Sequence, residues 1–562
     1  LILSAYHSIT LNADITVSGA GTLTLTTNND IAPTGTGSGT VNFGSSTIQF
    51  TSSSLTAANT ASNSPLTIDG HGYMLITNPS ELQNAIGTSG YYALAKPLDM
   101  SSISNFTPLT QSGFTGTFNG LGNTISNLTI NDSADLRVGL FGWLGAGAKI
   151  EDIGVIQEEI SSTYANGASV GGLVGYNSGG TLSAVYTTGT VSGPQSATST
   201  TSVGGLVGQN GDIGASGNTI TSSYSTVAVS GSDYTYIGGL VGWNSGTITS
   251  SFASGAVSSS NIGNTYNFIG GLVGWNASGT IKTSYAAGNV SGGNLTGGLV
   301  GQNHYGRIEE AYATGNVTGK SMTSNIGGLV GHDDVSNPSQ LILDSYSTGF
   351  VSSPAGTTGG LIGGLNNETP SYTDSQYFSD DYFDLTTTGQ NGNANLDLGN
   401  GVTGLTTIQW SQGSTSRFSN PADWVAGSPY PVLAALPYII ITASGTQVYG
   451  QSTPTITITS ILDQSGHNVT SQTDTSSLTW DTPGLSSTSN VQSSTHLIGH
   501  GATAPNYQVT YAGTDTVTPA ALTITTLNQT GAYGQTPMLD NTAFRTSGLL
   551  NGDTLSSATL TT

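Results

Sequence analysis

The chain has 562 residues, 80 of them Gly, no Cys, and only 7% charged side chains. Its 8 Lys+Arg against 31 Asp+Glu give a formal charge of −23, which argues against nucleic acid and anionic membranes as partners, because both need clustered cations. No apolar run approaches the ~20 residues that span a bilayer, so no membrane insertion is expected, and the regular spacing of Ile, Val and Leu argues against disorder.

Residues 1–62 alternate apolar and polar positions, as in Ile15-Thr-Val, Leu23-Thr-Leu-Thr and Ile48-Gln-Phe. They predict short strands separated by Gly/Asn/Ser turns. The stretch Ser18-Gly-Ala-Gly-Thr-Leu-Thr-Leu-Thr26 resembles the coils of filamentous-haemagglutinin-type adhesins. Leu1-Ile-Leu-Ser lacks the basic start and cleavage pattern of a signal peptide, and the expectation is an internal piece of a longer secreted protein. Residues 63–165 form a pre-repeat segment with one helical candidate, Asn78 to Ile86. Ser80 is the expected N-cap there, with Gln83 at the third helical position. Gly139-Leu-Phe-Gly142 is a degenerate copy of the phrase that follows.

That phrase dominates residues 166–365. Gly-Gly-Leu-Val-Gly starts at Gly171, Gly204, Gly238, Gly270, Gly297 and Gly327, with a weaker copy at Gly359. The starts lie 33, 34, 32, 27, 30 and 32 residues apart, a period that marks a solenoid of stacked units. Six residues after each start stands Asn177, Asn210, Asn244, Asn276 or Asn303, then Asp333. Further on come Tyr186, Tyr224, Phe252, Tyr285, Tyr312 and Tyr346, each four residues after an aliphatic and five before a Val. Each unit predicts three short strands. Stacking would place like on like, an Asn bonding to the Asn above and below. The paired glycines suit a corner that needs positive φ or close packing. The expected fold is all-β, a right-handed parallel β-helix with coils about 4.8 Å apart.

The run Gly238-Gly-Leu-Val-Gly-Trp-Asn-Ser-Gly-Thr-Ile248 is similar to the GLUG repeat of large bacterial surface proteins. The resemblance implies a secreted, adhesin-like β-helix and no particular ligand. Residues 366–437 are expected to cap its end, with Trp410, Phe418, Trp424 and Tyr430 covering the last coil. Residues 438–518 and 519–562 predict β-sandwich strands, and Tyr449-Gly-Gln recurs as Tyr533-Gly-Gln. They resemble the MBG-type, immunoglobulin-like modules of bacterial surface proteins, the second one truncated.

Parallel β-helices also carry pectin-degrading enzymes, which use clustered acids, or an Arg or Lys base with bound calcium, along one face. His71 and Asp380-Asp381 match fragments of their motifs but lie far apart and in the wrong order; a turn and a solvated loop are the simpler expectations. Glu158-Glu159 and Glu309-Glu310 are neighbours, and neighbours in a strand point to opposite faces. His304 and His332 fall out of register. No catalytic residue, metal site or cofactor is assigned. Calcium at acidic turns such as Asp333-Asp334 is the one ion left open. Tyr176, Trp243 and Trp275 follow the repeat Gly; they are candidate ligand-facing aromatics for glycans, or shields of the coil corner. Asn105, Asn127, Asn294 and Asn316 begin Asn-x-Ser/Thr triplets that leave glycosylation open. The expected function is structural and adhesive: attachment to host or neighbouring-cell surfaces, or self-association into an extracellular biofilm fibre. A secreted polysaccharide-active enzyme is the alternative.

Overall fold

In the computed structural model the described residues are 1–28, 39–51, 64–195, 197–214, 217–232, 234–260, 266–320, 324–335, 341–354, 356–367, 377–391, 401–412, 415–536 and 538–559. They fall into two units, Leu1–Thr406 and Thr407–Thr562. This boundary lies inside the segment 366–437.

The first unit is a parallel β-helix. Ile2–Ser4, Leu23–Thr26 and Leu66–Ile68 stack in parallel at its start. From Met74 onward one long parallel sheet runs through every coil to Leu405. Two further sheets of eight strands each begin at Arg137–Val138 and at Phe141–Leu144. The first of these carries the residues that lead into each Gly-Gly, and the second carries Val-Gly-x-Asn. The long sheet forms the third side.

Stacking keeps equivalent repeat positions on top of one another. Val174, Val207, Val241, Val273, Val300 and Val330 form one column. Leu182, Ile220, Ile248, Ile281, Ile308 and Ile342 form another. All of these side chains are fully buried. A column of this kind removes a branched aliphatic from water in every coil, about 1.5–3 kcal/mol each.

The repeat glycines are there for close approach, not for positive φ, which none of them adopts. A Cβ on Gly238 would stand 1.9 Å from the Val241 carbonyl oxygen, and one on Gly242 2.5 Å from the Val203 nitrogen. The first two sheets therefore reverse backbone against backbone. A Cβ on Gly239 would meet the Ala253 methyl at 2.9 Å; Gly271 and Gly298 meet Ala286 and Ala313 in the same way. Small residues face small residues across a thin interior.

The third side has more than one expected strand per coil. In the third coil it breaks into Thr247–Thr249, Phe252–Ala253 and Val257–Ser259. The first break is a residue with left-handed backbone that recurs coil after coil: Ala184, Ser222, Ser250, Thr283, Glu310, Asp344 and Asp380, with φ between 47° and 55°. The residue behind it satisfies the free N–H of the coil before. Val185 N–H donates to Ser223 Oγ, Ser223 N–H to Ser251 Oγ, Ser251 N–H to Ser284 Oγ, and Ser345 N–H to Asp381 Oδ1.

The helix spans Pro79–Ala85, and its cap differs from the expected Ser80. Asn78 Oδ1 accepts from Glu81 N–H at 3.0 Å, and Glu81 reaches back to Thr77 N–H at 2.8 Å. Pro79 has no N–H and takes the first helical position, which moves the cap to Asn78. Leu82 is buried with the main β-helix core.

In the second unit, Trp410 packs edge-on to Tyr430, and Phe418 stacks on Trp424 at 4.4 Å. Tyr438–Val448 pairs antiparallel with Thr455–Asp463 and parallel with Gln508–Thr518. Thr479–Asp481 and Ile498–His500 form a second, smaller sheet. Trp480 meets Tyr511 edge-on at 5.6 Å between the two sheets, over Ile439, Ile441 and Ile461. Thr523–Thr526 and Phe544–Ser547 form a hairpin. Among the described residues no helix is long and apolar enough to cross a membrane.

Candidate interaction surface and the residue ladders

Two ladders hold the coils together. In the first, each Asn amide nitrogen donates to the next Asn oxygen: Asn177 to Asn210, Asn210 to Asn244, Asn244 to Asn276 and Asn276 to Asn303, all at 2.8 Å, and Asn303 to Asp333 at 2.7 Å. The same nitrogens reach the turn carbonyls of Gly180, Gly246, Gly279 and Gly306. The ladder ends at Asp333 because the residue stacked above it is Leu365, which offers no acceptor. Burial lifts the Asp333 carboxyl to about 7, against the Asn303 hydrogen bond that lowers it.

In the second ladder Tyr186, Tyr224, Phe252, Tyr285, Tyr312 and Tyr346 stack face to face. Ring centroids are 4.8–4.9 Å apart and planes within 4–6°, which is the strand spacing itself. Burial pushes the phenols of Tyr224 and Tyr285 upward.

Outside, the reversal between the first two sheets leaves a crease flanked by side chains. Arg137 lies over Trp143 at 4.5 Å and Tyr176 at 5.3 Å. Ser169 Oγ donates to Gln209 Oε1. Tyr236 stacks on Phe268 at 4.9 Å, and Trp243 lies 4.8 Å from Trp275. Tyr236 touches both tryptophans, edge-on to Trp243 at 6.2 Å and tilted against Trp275 at 4.9 Å. Together with Leu295 these rings form a small cluster separate from the main core. Tyr176 is nearly buried and its hydroxyl donates to Asp212. Trp243 Nε1 donates to Ser245 Oγ at 3.0 Å. The candidate aromatics thus cover the crease, and Trp243 and Trp275 keep part of their surface toward solvent. Their partners Tyr236 and Phe268 stand two residues before Gly-Gly in the two coils that carry Trp, a coincidence of positions that the sequence itself displays.

His304 stacks on Asp334 in register, and His332 on Gln302. Both imidazoles bond the Asp334 carboxylate, at 3.0 and 3.2 Å. Burial raises Asp334, but the hydrogen bonds from His332 and His304 outweigh it and hold the group at about 2. Among the described residues no three His, Asp or Glu side chains are grouped to hold a metal. Glu158 is fully buried over Gly172, and burial raises its carboxyl well above the usual range; Glu159 points out. Glu309 and Glu310, expected on opposite faces, both reach the Lys282 ammonium, at 3.2 and 3.4 Å. The left-handed backbone at Glu310 turns its side chain that way. Asp381 does not lie in a solvated loop: it is fully buried and accepts from Ser345 N–H and Ser379 N–H. His71 stacks on Tyr91 at 4.2 Å. Asn119 donates to Glu151 at 3.0 Å and to Asp152 at 3.4 Å, and burial with the Glu151 charge lifts Asp152 to about 8. Asp69 beside them accepts from Thr27 N–H and Oγ. Asn105 bridges to Asn131, and Asn316 Oδ1 accepts from Phe350 N–H.

A solved structure similar to this chain is that of a Bacteroides ovatus protein provisionally named an immunoglobulin A1 protease. It is 20% identical, covers 65% of this chain and 93% of its own, and has a TM-score of 0.37, too low to carry an argument. Halomucin of Haloquadratum walsbyi is 32% identical over 180 residues, 30% of this chain. The chain spans 2% of the length of that relative. A family model described as the GLUG motif matches residues 233–258 and 292–318; each match runs from the strand before Gly-Gly to the Val strand of the same coil, so the chain carries GLUG motifs in its third and fifth repeat coils.

Proposed function

We propose that this chain is a non-catalytic structural and adhesive segment of a large secreted surface protein, displayed on the cell or in an extracellular fibre. One observation carries the reading. The residues that recur in every coil, the Asn, the aromatic and the glycines, all bind coil to coil and converge on no reacting centre. Such a repeat builds length and spacing, with stability accruing from neighbour to neighbour. The similarity to halomucin supports surface display, and the low cation content suits an exposed position outside the cell. Immunogold microscopy of producing cells, with antibody against residues 1–562, tests it. Label on the cell surface or along fibres is expected; label only on freely released compact particles would overturn it.

A polysaccharide-active β-helix has one observation in its favour, the carboxylates of Glu151, Asp152 and Asp69 near one another. An acid held at about 8 keeps a proton at neutral pH, as a general acid must. Release of reducing ends from polysaccharides, lost in Asp152→Asn, would establish that alternative.

A further inference from the structure

We propose that the aromatic strip on the third and fourth repeat coils is a two-fold self-association surface, through which two copies of this chain pair side by side. The strip consists of Tyr234, Tyr236 and Trp243 on one coil and Tyr266, Phe268 and Trp275 on the next. Tyr234 and Tyr266 stack on each other at 6.2 Å and stand 37% and 55% exposed, while Tyr236 and Phe268 of the same two coils are nearly buried. This is the profile of an apolar centre with an accessible rim.

Three observations select a second copy as the occupant. The first is symmetry. The two coils present the same kinds of side chain at the same positions, Tyr236 paired with Phe268 and Trp243 with Trp275. A two-fold axis placed between the coils brings each ring onto its counterpart, the self-complementarity an isologous contact requires. The second is charge. From Tyr234 to Ile281 there is no Asp, Glu, Lys, Arg or His, in a chain of net charge −23. Two such chains repel over most of their surface; these two coils are the uncharged stretch, and the carboxylates that flank it, Asp212 and Asp334, are each engaged by a glutamine of a coil adjoining the strip, Gln209 and Gln302. The third is ring orientation. Tyr236 and Phe268 stack at 11° and Tyr234 and Tyr266 at 18°, so these four rings turn their faces to each other along the coils, while Trp243 and Trp275 are tilted by 42°. A sugar stacks on a free aromatic face; rings whose faces are turned to one another suit edge contact with other aromatic rings.

If nothing beside it joins the contact, a strip two coils long offers less than the ~1,000 Å² of a stable interface, so the expected pairing is weak in solution and gains strength when many chains are displayed together. The inference rests on the structural reading above and can fail separately from it: unpaired chains can still label the cell surface.

Sedimentation velocity of the full chain from about 1 to 300 µM spans the range where weak contacts show. The wild-type average mass is expected to rise toward twice the monomer. Tyr234→Glu/Tyr266→Glu, which places four carboxylates across the axis, is expected to stay monomeric with an unchanged thermal transition. A wild type that remains monomeric throughout, or a double variant that pairs as well as wild type, would overturn the proposal. So would a monomeric chain whose tryptophan emission shifts on titration with chitohexaose, which would assign the strip to a glycan.

Discussion

Asn244 accepts from Asn210 and donates to Asn276, both at 2.8 Å in a site closed to water. Asn244→Asp keeps the shape and the acceptor but loses the donor, leaving a buried charge beside the Asn276 oxygen. The expected loss is about 2–4 kcal/mol at neutral pH, recovered as the carboxyl takes a proton toward pH 4; guanidinium unfolding at both pH values checks it. Asp333 poses the opposite case. Its folded carboxyl is held at about 7 against an ordinary 3.8, so between roughly pH 4 and 7 the folded chain binds a proton that the unfolded chain has released. Stability from this group is full below pH 4 and falls as pH rises to 7. Asp333→Asn should flatten the fall by about one proton, measured as the difference in pH slope between variant and wild type. The Asn ladder was legible in the sequence because one residue type recurs at one offset. The shared contacts of Glu309 and Glu310 were not, because the sign of φ at Glu310 is set by the coil corner and not by the residue type.

At the level of elements, the corner and the crease make opposite demands on the backbone. Gly238 has an ordinary φ and no room: a Cβ would lie 1.9 Å from the Val241 oxygen. Gly238→Ala forces the first two sheets apart and is expected to cost more than about 3 kcal/mol. Ser222 has room and the wrong φ, at 48°, with its side chain exposed. Ser222→Gly relieves a left-handed residue and should stabilise by about 0.5–1 kcal/mol, after the added freedom of the unfolded chain is subtracted. Urea midpoints for the two variants should move in opposite directions. Paired glycines signal close packing or positive φ equally well in a sequence; only the backbone contacts decide between them. The corner residues Ala184, Ser222 and Thr283 share no chemistry that announces left-handed geometry.

At the level of the first unit, the fold was legible because a solenoid writes its period directly into the chain. The coil sides were less so: short segments such as Phe252–Ala253 carry too few residues to show alternation. The period also predicts what the unit tolerates. Each coil contacts its neighbours through the same columns, so the coil after Ile269 fits the coil before Gly238 as well as the native neighbour does. Deleting residues 238–269 joins Ile237 to Gly270 at equivalent positions and keeps the Asn, aromatic and Val ladders in register. A nearest-neighbour solenoid loses one interface by this and remains cooperative. The variant is expected to fold, with a β-type circular dichroism spectrum and a urea m-value reduced in proportion to the surface removed. Deleting residues 238–253 instead places Ser254 where Gly238 stood. The next Gly-Gly then arrives half a coil late, and the backbone reversal no longer meets its glycines. That variant should lose the cooperative transition of the first unit. Equal behaviour of the two deletions would show that coil register is not what holds the repeats together.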